Sequence, residues 1–332
     1  MGGRLRFLFS PEQVLKIYRF IRREKEKIDT DVCREVKYKY IFNDFLLGLD
    51  LIFRHKHALH KPTSLQIETS GICNLRCKIC PIRYHRRSGG LMSFKNFKKI
   101  LSQFKYLRSL CLHGLGEPFL NPDIYKMINY AKRRGIRKIW LVTNGTKMNV
   151  DKVVDSSLDE VWFSVDTVKD YQKIRGIDVN VVIEKISKLL KKRKKRPKMI
   201  ITMVLTKETF KDIIHTINVF DDLGVDGFMA FDFNRIFAGK GSYHQITDKQ
   251  SKTICDHVIQ MQTNFIYTPQ PSICLFPWLT PYITWNGFVT PCCIKWDETL
   301  NIGNVLKEDF SKIWNNSFYR HSRGCNKCLH QY

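Results

Sequence analysis

Residues 73–80 read Cys73-Asn74-Leu75-Arg76-Cys77-Lys78-Ile79-Cys80, and this stretch decides how the rest of the chain is interpreted. Its three cysteines have the spacing Cys-x3-Cys-x2-Cys and follow an alternating apolar run, 65–69, that predicts a strand. A structural zinc ion takes four protein ligands. Three thiolates on one tight loop suit a [4Fe–4S] cluster whose fourth iron stays open. A partial zinc site and three free thiols are the alternatives.

The composition is that of a folded protein with metal-binding cysteines. The chain has 332 residues, of which 43% are hydrophobic, which suits one large or two moderate domains. Residues 1–10 lack the apolar core of a secretory signal, so we expect a cytoplasmic protein whose clustered cysteines bind metal. The longest apolar stretch, 40–53, is interrupted by Asn43, Asp44 and Asp50, which predicts no transmembrane segment.

The chain is strongly basic, with 56 Lys and Arg against 31 Asp and Glu and a net charge of +25. Such a field attracts nucleic acid, anionic lipid or acidic peptides, and it does not choose among them. The densest basic run, 191–196, lies between a predicted helix and a predicted strand. We interpret it as a solvated helix end, where the helix dipole favours cations, with a nucleic-acid patch as the alternative.

Strand and helix patterns alternate from Ser64 onward, which predicts a parallel sheet. The predicted strands are 65–69, 110–113, 139–143, 160–166, 199–205 and 228–233. Helices are predicted from Ser93, from Asn121, over 182–190 and over 210–223. Six such units form either an open doubly wound sheet or a partial barrel. The first strand is followed by cysteines in place of a Gly-x-Gly-x-x-Gly turn, which disfavours a dinucleotide-binding sheet.

The chain divides into three expected parts: a basic helical N-terminal extension over 1–62, a barrel core over 63–240, and a linker helix with a cysteine-rich module over 241–332. In the extension, one helical stripe is apolar, formed by Tyr40, Phe42, Phe45, Leu46, Leu49 and Phe53. We expect this helix to pack on the barrel. The alternative is an element that recognises substrate or contacts a membrane surface.

Polar residues follow the predicted strands in a recognisable order. The second strand leads into His113-Gly114-Leu115-Gly116-Glu117-Pro118, the third into Thr143-Asn144-Gly145, and the fourth into Ser164-Val165-Asp166, with Arg175 further on. In barrel folds the chemistry gathers at these strand ends. Together with the cysteine loop, the four segments resemble the radical S-adenosylmethionine (SAM) enzyme superfamily. The resemblance implies a partial (β/α)6 TIM-type barrel.

The resemblance also implies a SAM site. The first [4Fe–4S] cluster is expected on Cys73, Cys77 and Cys80, and the apolar Ile79 before the last cysteine fits the family pattern. The remaining residues expected to bind the cofactor are Gly114, Gly116, Glu117, Asn144, Ser164, Asp166 and Arg175. Within this set, Glu117 and the turn around it hold the SAM amine in the family, polar groups near Ser164 and Asp166 contact the ribose, and an arginine suits the SAM carboxylate. Leu115 departs from the family, which has glycine there. The alternative interpretations are a plain turn for the Gly-Glu-Pro segment, helix caps for Ser164 and Asp166, and a surface charge for Arg175.

The C-terminal cysteines resemble the SPASM and Twitch domains that bind auxiliary iron–sulfur clusters in this superfamily. The expected ligands are Cys274, Cys292, Cys325 and Cys328, enough for one auxiliary [4Fe–4S] cluster of the Twitch type. Cys292 is preferred to Cys293 because strand neighbours face opposite sides and because its distance from Gly287 matches the family. Zinc is the alternative for this quartet. The SAM motifs end at 176, so we expect the two clusters to be separable in function.

The resemblance implies an oxidoreductase or maturase that reductively cleaves SAM to a 5′-deoxyadenosyl radical and abstracts hydrogen from an unactivated carbon. The expected substrate is a peptide, a protein or a small polar molecule, which would be oxidised or cross-linked. The auxiliary cluster would take up an electron or position the substrate. A one-electron donor such as flavodoxin or ferredoxin is expected. The alternatives are a radical SAM enzyme that modifies nucleic acid or lipid at an anionic surface, and a non-catalytic iron–sulfur or zinc regulator. A peripheral position at a membrane is an alternative to a purely cytoplasmic one.

Overall fold

The computed structural model of the protein describes residues 34–53, 55–80, 82, 89–232, 265–268, 276–291 and 302–323. The helices in these ranges are α1 Arg34–Phe53, α2 Phe94–Ser102, α3 Ile124–Arg133, α4 Val150–Val154, α5 Tyr171–Arg175, α6 Asn180–Lys192, α7 Lys207–Phe210, α8 Ile213–Asp222, α9 Phe276–Leu279, α10 Phe310–Trp314 and α11 Ser317–Arg323. The strands are β1 Ser64–Ile67, β2 Ser109–Cys111, β3 Lys138–Thr143, β4 Glu160–Ser164, β5 Lys198–Leu205, β6 Gly227–Asp232, β7 Phe265–Thr268, β8 Tyr282–Ile283 and β9 Val289–Thr290.

The described strands form one sheet in the order β7-β6-β5-β4-β3-β2-β1-β8-β9. Every neighbouring pair is parallel except β8–β9, which is antiparallel. Helices between the parallel strands return the chain to the same edge of the sheet, as a crossover connection requires. This arrangement confirms the predicted α/β fold with a partial (β/α)6 barrel. The six predicted strands are present, with ends shifted by one or two residues.

The two faces of the sheet differ because side chains alternate along a strand. Ile139, Leu141, Val161 and Phe163 are fully buried and belong to the main apolar core beneath the helices. Helix α3 packs on this core through residues three or four apart, namely Ile124, Met127, Ile128 and Ala131. The opposite face of the same strands lines the inside of the barrel.

Side-chain hydrogen bonds set the helix ends. Ser93 caps α2 as predicted, by accepting from the Asn96 backbone N–H at 3.2 Å. The helix predicted from Asn121 begins instead at Ile124, because the Asn121 amide donates to the Thr69 carbonyl at 2.7 Å and ties its loop to the end of β1.

The helix predicted over 210–223 is divided into α7 and α8. A capping box, in which Thr206 and Thr209 bond each other's backbone, encloses the single turn of α7. The chain then restarts as α8 after Asp212, whose carboxylate accepts from the Thr167 hydroxyl at 2.6 Å.

Helix α1 confirms the helical N-terminal element, but its apolar stripe does not pack as predicted. Leu47 and Leu51 are buried against Trp278 near the C-terminal end of the chain. Phe42 and Phe45 of the predicted stripe are 62% and 60% exposed, and Phe53 is also exposed. The expected packing of these phenylalanines on the barrel is therefore wrong.

Buried polar contacts decide which side of α1 faces the protein. Asp50 is fully buried and accepts from the backbone N–H groups of Leu59 and His60 at 2.8 and 3.0 Å. Asp44 pairs with Arg108 at 2.6 Å. Because both faces of the helix carry apolar residues, these ion and hydrogen-bond partners fix its rotation.

The sheet also continues past residue 240, where the predicted barrel core ends. Strand β7 extends the parallel sheet beside β6, and the β8–β9 hairpin joins the other edge beside β1. Segments after residue 240 therefore complete the sheet at both edges. Among the helices in the described ranges, none has the length and apolar character needed to cross a bilayer.

Candidate SAM and iron–sulfur site

The three-cysteine loop lies at the carboxyl edge of the sheet, directly after β1. Its backbone is fixed by other elements: Lys78 N–H donates to the Ile174 carbonyl at 2.8 Å, and Glu117 N–H donates to the Ile72 carbonyl at 2.9 Å. Ile79 is buried and packs against Ile174. The loop is thus held between the turn after β2 and helix α5.

The donor set of this loop fits an iron–sulfur cluster. Burial raises the pKa of the Cys73, Cys77 and Cys80 thiols, that of Cys80 to about 12, while Arg175 beside Cys77 opposes the rise there. Cluster binding must therefore displace protons from all three. Within the described ranges, no three His, Cys, Asp or Glu side chains converge on a single metal ion. A structural zinc ion takes four ligands, whereas three thiolates on one short loop suit a [4Fe–4S] cluster with one open iron.

Asn144 joins the end of β3 to the cysteine loop. Its Nδ2 donates to Cys73 Sγ at 3.7 Å and to Asn74 Oδ1 at 3.2 Å, and its Oδ1 accepts from Thr146 N–H at 2.9 Å. Hydrogen bonds to cysteine sulfur tune the reduction potential of a cluster. The structure places Asn144 beside a predicted ligand, and its contact with SAM stays a prediction.

The turn after β2 approaches its neighbours so closely that side chains are excluded at two positions. A Cβ on Gly116 would lie 2.2 Å from the Ser70 carbonyl oxygen. A Cβ on Gly114 would lie 2.5 Å from the Tyr282 hydroxyl and 2.6 Å from Glu68 Cγ. Close packing therefore requires both predicted glycines.

Glu117 is buried and fully hydrogen-bonded. Its Oε1 accepts from the Thr143 hydroxyl at 2.6 Å and from Phe119 N–H at 3.2 Å, and its Oε2 accepts from Asn144 N–H at 2.8 Å. Burial raises the pKa of Glu117 to about 7, although these hydrogen bonds lower it. Glu117 thus fixes the turn after β3 against the turn after β2. Direct contact with the SAM amine stays a prediction.

Asp166 and Arg175 form a buried ion pair next to the cysteine loop. Asp166 Oδ2 lies 2.6 Å from Arg175 Nη2 and 2.9 Å from its Nε, and Asp166 Oδ1 accepts from Val204 N–H at 3.0 Å. The Arg175 guanidinium lies 5.7 Å from the Tyr171 ring, and its charge opposes the burial that raises the pKa of the Cys77 thiol. In this arrangement Asp166 orients Arg175, and its ribose contact stays a prediction.

A buried donor beside this pair fits a site that a ligand completes. The Tyr171 side chain is 1% exposed, and its hydroxyl has no hydrogen-bond partner within the described ranges. Ser164 is half-buried at the end of β4, opposite Thr202 of β5. All the predicted SAM-site residues therefore meet at one edge of the barrel.

The four predicted auxiliary ligands, Cys274, Cys292, Cys325 and Cys328, lie outside the described residues, as does Cys293. Sequence analysis missed two residues near the SAM site, Glu68 and Trp285. A polar residue that continues the inward-facing alternation of β1 was a usable signal for Glu68. Trp285 had no local signal, because its place depends on the distant pairing of β8 with β1.

Two family models match the chain. The Radical SAM superfamily model covers residues 67–220, and the SPASM model, an iron-sulfur cluster-binding domain, covers residues 274–330. The first begins at the last residue of β1 and spans the cysteine loop and every predicted SAM-site residue. The second spans all four predicted auxiliary ligands.

Relatives and solved structures agree with these matches. The chain is 25% identical over 291 residues to the tungsten-containing aldehyde ferredoxin oxidoreductase cofactor-modifying protein of Pyrococcus furiosus, covering 77% of this chain and 81% of the relative. It is 24% identical to a probable GTP 3′,8-cyclase of Sulfurisphaera tokodaii, covering 74% and 86%. The crystal structure of Streptococcus suis SuiB bound to precursor peptide SuiA shares the fold, with a TM-score of 0.69, 18% identity, and coverage of 95% and 79%.

The partial barrel, with a three-cysteine loop and a SAM-type turn at one edge, defines an iron–sulfur protein of the SAM-cleaving class. The chain belongs to the radical SAM superfamily, in the branch that carries a C-terminal SPASM domain. The two domains imply a SAM-binding [4Fe–4S] cluster and auxiliary iron–sulfur binding, as predicted. The single-cluster Twitch form stays a prediction.

Proposed function

We propose that this radical SAM enzyme abstracts hydrogen from an unactivated carbon of a peptide or protein and acts as a maturase. When bound, the [4Fe–4S] cluster supplies the electron that cleaves SAM to methionine and a 5′-deoxyadenosyl radical. The observation that carries this proposal is that the cysteine loop, the turn 114–117 and the Asp166–Arg175 pair meet at one edge of the barrel.

The site residues divide the binding of SAM among them. A guanidinium has five N–H donors, and Arg175 gives two to Asp166, so others are left for the SAM carboxylate. The main-chain carbonyls around Gly114 and Gly116 accept from the SAM ammonium. Glu117 holds that turn in place, and the Tyr171 hydroxyl donates to the ligand.

The inner face of the barrel favours an apolar or aromatic group of the substrate. The Trp140 and Trp162 rings are in contact, tilted by 32° with centroids 4.3 Å apart, and the His113 ring lies 5.8 Å from Trp140. Burial lowers the pKa of His113 to about 4, so its ring is neutral at pH 7. Nearby Lys138 is neutralised by Glu160 at 2.9 Å. Neutral rings suit a peptide side chain better than a triphosphate.

The relatives support a modifying role and also supply the second candidate. A cofactor-modifying protein and a structure with a bound precursor peptide favour a maturase, whereas the GTP 3′,8-cyclase relatives favour a small nucleotide. The oxidation or cross-linking of the substrate and the role of the auxiliary cluster belong to the proposal. A one-electron donor such as flavodoxin or ferredoxin also belongs to the proposal. The net charge of +25 would attract an acidic donor protein.

A peripheral position at an anionic membrane is the second part of the proposal. Helix α1 exposes Phe42, Phe45 and Phe53, and exposed Lys56 and Lys61 follow it. Aromatic rings beside cations are the features of an interfacial element. A cytoplasmic location otherwise stays a prediction.

The catalytic proposal is tested by anaerobic reconstitution, reduction with dithionite, and measurement of 5′-deoxyadenosine by mass spectrometry. We expect product from the wild type and none above background from Cys77→Ala. Cys111→Ala, which removes a buried cysteine of β2 outside the loop, serves as the matched control and should retain activity. No 5′-deoxyadenosine from a fully loaded wild type would overturn the proposal.

The substrate class is tested by stimulation of the same reaction. Cell extract is divided into a protein and peptide fraction and a small-molecule fraction, and GTP is added in a third reaction. We expect excess 5′-deoxyadenosine with the first fraction. Stimulation by GTP alone would replace the maturase proposal by the nucleotide one.

A further inference from the structure

A buried carboxylate joins the SAM-binding turn to the C-terminal part of the chain. Glu68 is fully buried at the end of β1. Its Oε1 accepts from Leu115 N–H at 3.1 Å, and its Oε2 accepts from Trp285 N–H at 3.2 Å. Leu115 lies within the turn 114–117, and Trp285 lies within the SPASM match, 274–330. One side chain thus bridges the turn expected to bind SAM and the region expected to bind the auxiliary cluster.

Strand pairing holds the same C-terminal segment against β1. Gln66 N–H donates to the Pro281 carbonyl at 3.0 Å, and Glu68 N–H donates to the Ile283 carbonyl at 2.8 Å. Backbone and side chain of Glu68 therefore bind the same segment, which fixes its register as well as its distance.

The Trp285 indole fills a space that two glycines leave open beside the cysteine loop. A Cβ on Gly71 would lie 2.3 Å from Trp285 Cδ1, and a Cβ on Gly90 would lie 2.4 Å from its Cζ3. Gly71 N–H donates to the Gly90 carbonyl at 2.8 Å. Since Gly71 precedes Cys73 by two residues, the indole packs against the start of the cluster loop.

The physical consequence is mutual support. A buried carboxylate is stabilised by the hydrogen bonds that its oxygens accept, and Glu68 accepts from Leu115 N–H on one side and from Trp285 N–H on the other. Withdrawal of Trp285 removes a donor from Oε2, and distortion of the turn removes one from Oε1. Each region therefore stabilises the other through the same side chain.

We propose that Glu68 is a positioning residue that couples SAM binding to the docking of segment 281–290. SAM then favours the docked segment by the same factor by which docking favours SAM, as linkage requires. This inference rests on the proposed function, because SAM must bind at the turn 114–117. It replaces the expectation that the two cluster regions are separable.

The test compares the wild-type holoenzyme with Glu68→Gln under non-reducing conditions, in which SAM is bound but not cleaved. Equilibrium dialysis measures the SAM dissociation constant, and hydrogen exchange with mass spectrometry measures protection of segment 281–290 with and without SAM. We expect SAM to slow exchange in the wild type. In Glu68→Gln we expect roughly ten- to a hundredfold weaker SAM binding and no SAM-dependent protection.

Asp159→Asn is the matched control. Asp159 also accepts a hydrogen bond from a backbone N–H, that of Ile139 at 2.8 Å. It directly precedes β4 and therefore lies at the amino ends of the strands, opposite the cysteine loop. It should leave both measurements at wild-type values. If Glu68→Gln fails to retain iron, Gly90→Ala replaces it, because its added methyl displaces Trp285 and leaves Glu68 intact. That variant should weaken SAM binding in the same way.

The outcomes separate the coupling from the proposed function. Wild-type SAM affinity in Glu68→Gln, or exchange of segment 281–290 that does not respond to SAM in the wild type, overturns the coupling and leaves SAM cleavage untouched. A loaded wild type that does not bind SAM overturns both. An equal loss in Asp159→Asn would assign the effect to general destabilisation and would also overturn the coupling.

Discussion

At the scale of single residues, two of the buried carboxyl groups of the site, Asp166 and Glu117, have partners of different charge. Asp166 is neutralised by the Arg175 guanidinium at 2.6 Å. Glu117 has only neutral donors, from Thr143, Phe119 and Asn144, and burial raises its pKa to about 7. A guanidinium balances a charge removed from water, whereas neutral hydrogen bonds do so only in part. Glu117 is therefore the carboxyl whose charge responds near neutral pH.

Replacement of Glu117 by Gln should flatten the pH dependence of stability. The pKa of Glu117 is raised from 4.5 to about 7 on folding, so its contribution is fully present below about 4.5 and is lost as the pH rises to about 7. We expect the free energy of unfolding of the wild type to decline over this range and that of Glu117→Gln to decline less. Urea unfolding followed by circular dichroism measures both. Glu184→Gln, at an exposed helical position, is the control and should keep the wild-type slope.

A wild-type slope in Glu117→Gln would contradict this explanation and would assign the pH dependence to other groups. A constant loss of stability at every pH is expected in addition, because the new amide group faces the Asn144 N–H, which needs an acceptor.

At the scale of elements, α1 is a helix with two apolar sides, of which one is buried against the protein. Leu47 and Leu51 face Trp278, and the phenylalanines face away from the protein. Exposed aromatic side chains on a continuous helical face are costly in water and mark an interaction surface. The proposed membrane contact gives that face a function.

The double variant Phe42→Ser/Phe45→Ser should weaken binding to anionic vesicles. Each ring contributes apolar area that leaves water on insertion, so we expect the partition coefficient to fall by roughly thirtyfold or more. Co-sedimentation with vesicles of phosphatidylserine and phosphatidylcholine measures it. Phe318→Ser, at a 67% exposed position of α11, is the control and should bind as the wild type does. If the wild-type protein does not co-sediment with these vesicles, the membrane contact is ruled out.

The strands and helix α1 differ in how far their structure could be predicted from sequence patterns. The six strands from β1 to β6 were predictable because buried parallel strands are continuous apolar runs with polar ends, such as Met199 to Leu205. The packing side of α1 was not, because apolar periodicity alone cannot distinguish two apolar faces. The deciding contacts join Asp50 to the Leu59 and His60 N–H groups, which lie beyond the end of the helix.

The SAM-site residues were predictable because each lies close in sequence to a strand end. Glu68 was not identified, since its function depends on Trp285, 217 positions away in the chain. Local patterns carry no information on such a pairing. The same limit explains why β8 and β9 were assigned to a separate module, although they join the barrel sheet.

At the scale of the whole molecule, the SPASM region takes part in the barrel. It supplies strands at one edge and packs Trp285 beside the cysteine loop. Removal of its cysteines should therefore affect SAM binding, in contrast to the behaviour of independent modules.

The reconstituted wild type should contain about eight irons per chain, four in each cluster.

The double variant Cys325→Ala/Cys328→Ala should lose about half of the iron and should also bind SAM more weakly than the wild type. Iron analysis and equilibrium dialysis measure the two effects, and circular dichroism checks the fold. Cys111→Ala should retain the full iron content. Half the iron with unchanged SAM affinity would show that the auxiliary cluster is not needed for docking of the segment.

The pairing of β1 with β8 has a consequence for biosynthesis. During translation, β1 and the three thiols leave the ribosome long before residues 282–285, because Glu68 and Trp285 are 217 positions apart in the chain. Until then one edge of β1 has no partner, and exposed strand edges invite misassembly in nascent chains. Correct cluster delivery to Cys73, Cys77 and Cys80 is therefore expected only after segment 281–290 has been synthesised.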